Sequence, residues 1–244
     1  MPIHTHRTDD VVVVLTIDRQ RRRNALNLET LEELHSAVAV ALAEGARAVV
    51  LTGAGGHFCS GADLTELEDV SFTQRLAEVL EHLAAVPVTT IAAIEGSCMG
   101  LGMQLALACD VRVVADDARF AVPVARLGLM VDHWTVDRLA RYWGEGAARH
   151  MTLTAAVLDA DDAWRLGFSQ LRGRLDDAVE LAARAARLAP LTQAGSKTGF
   201  DAHHDNHAEV ARYEAAFARA WRSDDLAEGR AAFRERRDPR FGGH

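Results

Sequence analysis

Residues Gly96 to Asp110 read GSCMGLGMQLALACD, with Gly96, Gly100 and Gly102 leading into an apolar run that ends in Cys-Asp. Glycines clustered in this way mark backbone that turns sharply or approaches another group closely. The apolar run behind them marks a buried helix. The stretch therefore predicts a strand-to-helix turn, a helix beginning near Leu101, and a further strand at Asp110 to Ala115. The first turn of such a helix presents backbone N–H groups without internal acceptors, and the helix dipole favours negative charge there. A single amide, Gln104, interrupts the apolar run.

Working outward, HFCSGADL at His57 to Leu64 repeats the same design through Ser60 and Gly61. If both turns face one pocket, they supply two N–H donors to an oxyanion; either turn alone also reads as a plain tight connection. Around them, Val11 to Ile17, Ala48 to Thr52 and Thr89 to Ile94 are β-branched apolar runs that predict buried strands. Leu28, Leu31, Leu34, Val38 and Leu42 fall near helical spacing, with Asn27 as the N-cap. A short helix near Asp63 to Glu68 and a longer one near Phe72 to Leu83 precede the strand at Thr89. This alternation predicts an α/β domain with mostly parallel strands. From about Asp161 onward helical patterns rich in Ala and Arg take over, and Pro190 reads as a break before the terminal helices.

The chain has 244 residues, and 27 Lys+Arg against 35 Asp+Glu give a net charge of −8. That balance argues against a nucleic-acid or anionic-membrane surface. Lys197 is the sole lysine. Three cysteines, Cys59, Cys98 and Cys109, are too few for a disulfide framework and lack C-x-x-C spacing, which suits a reducing cytoplasm. No apolar run reaches the length of a membrane span, and the start has no signal-peptide pattern. The expectation is a cytoplasmic protein that is not integral to a membrane.

Joined to RRRNALN at Arg21 to Asn27, the two turns resemble the enoyl-CoA hydratase/isomerase family, the crotonase superfamily. R-x-x-A-L-N, V-V-L-T-G, F-C-S-G-A-D-L, G-x-G-x-x-L-A-L-A-C-D, F-A-V-P and L-G-L carry the likeness from about Val11 to the C-terminus. The resemblance implies a spiral of β-β-α units over residues 1–190 and a helical region over 191–244 used in trimer assembly. It also implies a CoA thioester as ligand, with no cofactor beyond it. By position, the N–H groups of Ala62 and Leu101 would form the oxyanion hole. Arg22, Arg23, Ala25, Ser60, Gly61, Asp63 and Leu64 would bind CoA. Where Leu101 stands the family usually has glycine; leucine keeps the N–H but reshapes the pocket.

The two glutamates that the family's hydratases use fall at Gln104 and Val124. An amide orients water but does not take its proton at neutral pH, and valine does neither. General acid–base catalysis contributes roughly 10² to 10⁴ in rate per group, so hydration should be weak or absent. One carboxylate remains, Asp132, similar in position to the acidic group of the family's dienoyl-CoA isomerases and aryl-CoA dehalogenases. It either transfers a proton or attacks as a nucleophile there, or caps the helix that begins near His133. The acyl side is expected to comprise Met103, Gln104, Val124, Asp132, His133 and Trp134. A carboxylate from Glu66 to Asp69 entering the pocket would restore an ordinary hydratase.

Other patterns carry less. His203 and His207 at i, i+4 beside His204 have metal-clamp spacing but no acidic or cysteine partner, and read as a polar helix start. GSCMG lacks the G-x-S-x-G nucleophile elbow, and neither phosphate-loop nor dinucleotide glycine motifs occur. Trp134, Trp143 and Trp221 read as core or interface residues. The expected protein is a fatty acyl-CoA or enoyl-CoA binder in lipid metabolism, a homotrimer or dimer of trimers without metal. Its rival is an isomerase or dehalogenase using Asp132.

Overall fold

The computed structural model describes residues 2–8, 11–63, 70–202 and 206–244. A hairpin opens the chain, β1 (Ile3–Thr8) lying antiparallel to β2 (Val12–Ile17). The helix α1 (Leu28–Ala43) returns to β3 (Ala48–Gly53), which pairs parallel with β2. Asn27 starts α1 by accepting the Thr30 N–H at 3.0 Å. Helix α2 (Val70–Ala85) leads to β4 (Thr89–Ile94), parallel to β3. Strand β5 (Ser97–Met99) leaves this sheet, α3 (Leu101–Ala108) follows, and β6 (Val111–Val114) rejoins it beside β4.

Beyond these come β7 (Arg119–Ala121), α4 (His133–Trp143), α5 (Glu145–Thr154), β8 (Leu158–Asp159), α6 (Ala160–Arg165) and β9 (Leu171–Arg172). Helices α7 (Leu175–Ala185), α8 (Pro190–Asp201), α9 (His207–Ala220) and α10 (Asp224–Glu235) complete the chain. The result is a six-stranded sheet in the order β1-β2-β3-β4-β6-β9 and a three-stranded sheet β5-β7-β8.

Both faces of the larger sheet are covered, which explains why its strands read as unbroken apolar runs. Along β2, Val13, Leu15 and Ile17 join the core formed with α1, α2 and α3, whereas Val12 and Val14 pack with Ala178, Ala182 and Ala186 at α7. Small alanines let α7 lie close to the strands.

The predicted α/β alternation is present, and so are the helix from Leu101 and the helix from His133. Two expectations change. Strand β1 went unforeseen because only Ile3 of its six residues is buried, which leaves little apolar signal. Strand β9 lies beyond Asp161, where helices alone are expected, and its two residues are too few to register as a pattern. The expected break at Pro190 is present, between α7 and α8, with Pro190 as the first residue of α8, where a helix N-terminus needs no N–H. Of the short helix expected at Asp63 to Glu68, Asp63 is non-helical and residues 64–69 lie outside the described residues.

Helix α8 is bonded to the sheet core. Gln193 Nε2 donates to Thr89 Oγ1 at 3.1 Å, and Lys197 Nζ reaches the Val88 carbonyl at 2.9 Å and Asp110 Oδ2 at 2.8 Å. Asp110 Oδ2 also accepts the Thr90 N–H at 2.7 Å, so the Cys-Asp end of the opening stretch is a joint between β4, β6 and α8. By contrast α9 has no buried residue.

Candidate active site

The two glycine turns meet because Cys59 and Cys98 form a parallel bridge. The Cys59 N–H donates to the Ser97 carbonyl and the Met99 N–H donates to the Cys59 carbonyl, each at 2.9 Å. That Cys59 carbonyl sits under α3, where a Cβ on Gly102 would lie 2.3 Å from it. Gly102 is therefore glycine because helix and turn are in van der Waals contact there. Gly100 holds φ at +51° and donates its N–H to Ala121 at 2.9 Å, which aims the chain into α3. The stretch from Gly96 to Asp110 thus closes on the second turn at Gly102, and on the Gly56 carbonyl just before that turn at Gly96.

Leu101 is the first residue of α3, so its N–H has no intrahelical acceptor. At the other turn, Leu26 donates to the Gly61 carbonyl at 2.9 Å and accepts from Asp63 N–H at 2.8 Å. This parallel bridge turns the Ala62 N–H away from Leu26. Neither N–H meets an acceptor among the described residues, and both Ala62 and Leu101 line a cavity of about 450 Å³. Two unpaired backbone donors lining one cavity suit a carbonyl oxygen that gains negative charge. Phe72, Leu76 and Leu80 of α2 line the same cavity, and no motif in the sequence announced them.

Gln104 also lines the cavity and is 7% exposed. Its Nε2 donates to Thr135 Oγ1 at 2.8 Å, and the Thr135 N–H donates to Asp132 Oδ1 at 3.0 Å. Asp132 is thus the N-cap of α4. It lies at the cavity edge and is the one carboxylate among the described residues that line it. Val124, on a 3₁₀ turn at Pro123–Arg126, adds an apolar surface.

Three expected acyl-side residues sit elsewhere. Met103 is fully buried in the core, because the residue beside Gln104 on a helix points to a different face. Trp134 turns its ring to Arg138, whose guanidinium lies 4.6 Å from the ring centre. His133 is exposed and lines a neighbouring cavity.

Of the expected CoA loop, Ser60 and Gly61 reach the cavity lining. The Ser60 N–H donates to the Arg23 carbonyl and Ser60 Oγ to the Arg22 carbonyl, each at 3.0 Å, which places the arginine turn beside this rim. Arg22 and Arg23 have exposed side chains. Asp63 is buried, with Arg19 Nη2 at 3.3 Å and Arg22 Nε at 3.9 Å, so it steadies the turn and does not face the cavity. Ala25 is buried and offers its carbonyl to Arg19. Leu64 and Glu66 to Asp69 lie outside the described residues.

Sequence reasoning missed Asn24. It is fully buried at φ +60°, donates to the Ala54 and His57 carbonyls at 2.8 and 2.6 Å, and accepts the Arg19 N–H at 2.9 Å. Asparagine tolerates left-handed backbone better than most residues, and that was the available signal. Thr135 was also missed, as a helix residue without local pattern.

Burial pushes the thiols of Cys59 and Cys109 up to about 12 and that of Cys98 well above the ordinary value, so all stay protonated and unreactive. His203 and His204 lie outside the described residues, and among the described ones no group of three metal-ligating side chains occurs. No described helix is long and apolar enough to cross a membrane.

The chain matches the family model for enoyl-CoA hydratase/isomerase over residues 7–244. It is 42% identical over 235 residues to the probable enoyl-CoA hydratase echA6 of Mycobacterium tuberculosis, covering 94% of this chain and 96% of that protein. It is 30% identical over 255 residues to a crotonyl-CoA hydratase of Syntrophomonas wolfei, covering 96% and 95%. Among solved structures, an enoyl-CoA hydratase from Bacillus anthracis superposes with a TM-score of 0.90 at 28% identity, covering both chains fully.

Proposed function

The chain belongs to the enoyl-CoA hydratase/isomerase family, and from that premise we propose that it binds a fatty acyl-CoA or enoyl-CoA thioester and hydrates it weakly or not at all. The thioester oxygen lies on the Ala62 and Leu101 N–H groups, a contact whose loss raises barriers by about 2.7–4 kcal/mol in other enzymes. Arg22 and Arg23 meet the CoA phosphates at the rim beside Ser60, where guanidinium groups suit paired phosphate oxygens. No cofactor beyond the CoA thioester takes part.

One observation carries the reading. The cavity holds Gln104 and Val124 beside the two donors, and the Gln104 amide is already engaged by Thr135. Neither side chain moves a proton, so water added to an enoyl double bond would be neither activated nor matched by proton delivery. Calorimetric titration with saturated acyl-CoAs beside an absorbance assay of crotonyl-CoA hydration tests this. Binding without turnover supports it, and rapid hydration overturns it.

Asp132 favours a second reading because it borders the cavity. As the cap of α4 its carboxylate is bonded to Thr135 N–H, yet an exposed oxygen remains for proton transfer between two carbons, sufficient for a double-bond shift. Asp132→Asn keeps the cap, since both residues serve there equally. Unchanged binding with no effect on any turnover leaves the binding reading; lost isomerisation with retained binding selects the second. The reading further includes a cytoplasmic protein that assembles as a homotrimer or dimer of trimers. Helix α9 leaves Tyr213, Phe217 and Trp221 at least 39% exposed, which supports such an assembly, and sedimentation velocity measures it.

A further inference from the structure

One bond between the two glycine turns comes from a side chain. The parallel bridge at Cys59 and Cys98 uses the Cys59 N–H and carbonyl, with Ser97 and Met99 as partners. Continued one step back along the chain, the same ladder would have the Ser97 N–H donate to the His57 carbonyl. That carbonyl is already taken, because Asn24 Nδ2 donates to it at 2.6 Å and to the Ala54 carbonyl at 2.8 Å. The Ser97 N–H donates instead to His57 Nδ1 at 3.2 Å.

The fold makes room for the ring. His57 is half-buried, and a Cβ on Gly96 would lie 2.6 Å from Nδ1 and 2.2 Å from the Gly56 carbonyl oxygen. Gly96, at φ +53°, is therefore the residue that lets the ring reach Ser97. To accept an N–H, Nδ1 carries no hydrogen, and the neutral ring keeps its own on Nε2. Both ends of this contact lie just upstream of a donor, Ala62 following His57 and Leu101 following Ser97 within a few residues. On its far side, Asn24 fastens His57 to the arginine turn. That turn in turn holds Ala62 from both sides, through Leu26 N–H on the Gly61 carbonyl at 2.9 Å and Asp63 N–H on the Leu26 carbonyl at 2.8 Å. His57 itself does not line the cavity.

We infer that His57 is a positioning residue of the oxyanion hole. Its carbonyl is fixed by Asn24 and its ring fixes the Ser97 N–H, and together these set the separation of the Ala62 and Leu101 donors. The inference rests on the thioester reading above and adds to it a residue that acts without touching the ligand.

Titration of the full chain with butyryl-CoA and with S-butyl-CoA, the thioether that lacks only the carbonyl oxygen, isolates what the two donors contribute. The wild type is expected to prefer the thioester. His57→Leu keeps bulk and removes the acceptor; it should cut that preference by about two- to tenfold, the range of one hydrogen bond, and leave S-butyl-CoA affinity unchanged. His57→Asn, whose side-chain oxygen falls near the place of Nδ1, should restore the preference. If the preference survives in His57→Leu, or if both ligands weaken together, the inference is overturned while the thioester reading stands. If the wild type binds the two ligands equally, or binds neither, the thioester reading falls and the inference with it. Should His57→Leu not fold, His57→Gln, which carries its amide one carbon further out, takes its place with the same expected loss.

Discussion

On one side of the cavity lined by Ala62 and Leu101 every residue of α3 from Leu101 to Ala108 is buried, whereas Leu127, Leu129 and Met130, which also line it, are 50, 48 and 94% exposed. The first side is backbone against backbone, locked by the Cys59–Cys98 bridge and by Gly102 over the Cys59 carbonyl. The second is side chains on a turn with few main-chain bonds. A site divided in this way keeps its polar donors fixed while its apolar wall adapts to what fills it. Preorganised donors are worth most when they do not move, and hydrophobic contact tolerates rearrangement.

Four changes break or sharpen that contrast. The largest effect is expected from Gly102→Ala, whose methyl meets a backbone oxygen that has nowhere to go. A loss of about 3 kcal/mol or more in urea unfolding is expected, at the top of the range for overpacking. A loss below about 1 kcal/mol, the lower end of that range, would show that the fixed side yields.

Next is the double substitution Gln104→Glu with Val124→Glu, which places carboxylates at both acid–base positions. Crotonyl-CoA hydration should rise by about 10² or more over the wild type, with each single change giving far less. Equal activity in all four proteins would mean that the donor geometry, and not the missing carboxylates, limits the reaction.

Thr135→Val retains shape but removes the hydroxyl that accepts from Gln104. Leaving that amide unpartnered should cost about 1–3 kcal/mol by thermal unfolding, partly relieved where the amide reaches ligand or water. No change would show that Gln104 is already solvated.

The smallest effect concerns α2, whose other face meets α1. His82 packs against His35 with ring centres 4.4 Å apart, and a buried ring nitrogen of His82 has no partner. Burial first, then His35 and Arg75, hold its protonation below the ordinary value of 6.5. The unfolded chain therefore takes up a proton before the folded one as pH falls, so stability present above pH 6.5 is lost below it. His82→Gln should flatten that slope in unfolding measured across pH 5 to 8, the interval in which histidine commonly changes charge.

Much of the frame was legible because buried strands and helices leave runs and spacings, as in Val12 to Ile17 and Leu31 to Val38. The paired glycine turns were legible too, since Gly100 and Gly102 meet steric demands that few other residues satisfy. What stayed hidden depends on pairs distant in the chain. Asp63 reads as part of a ligand loop until Arg19, 44 residues away, is seen to engage it. Gln104 reads as a retired catalytic position, and its tie to Thr135, 31 residues on, is invisible to any local pattern. Met103 and Trp134 read as pocket residues by proximity in sequence, yet helix geometry turns them elsewhere.

The joint at Asp110 has a chemical corollary. A thioester is an acylating agent, and the nucleophiles a protein ordinarily exposes to one are lysine amines and cysteine thiols. This chain has one lysine, and its ammonium group is held between Asp110 and the Val88 carbonyl. Its three thiols are buried. With positive charge otherwise carried by arginine, whose guanidinium stays protonated, the chain presents few side chains that an acylating agent would modify.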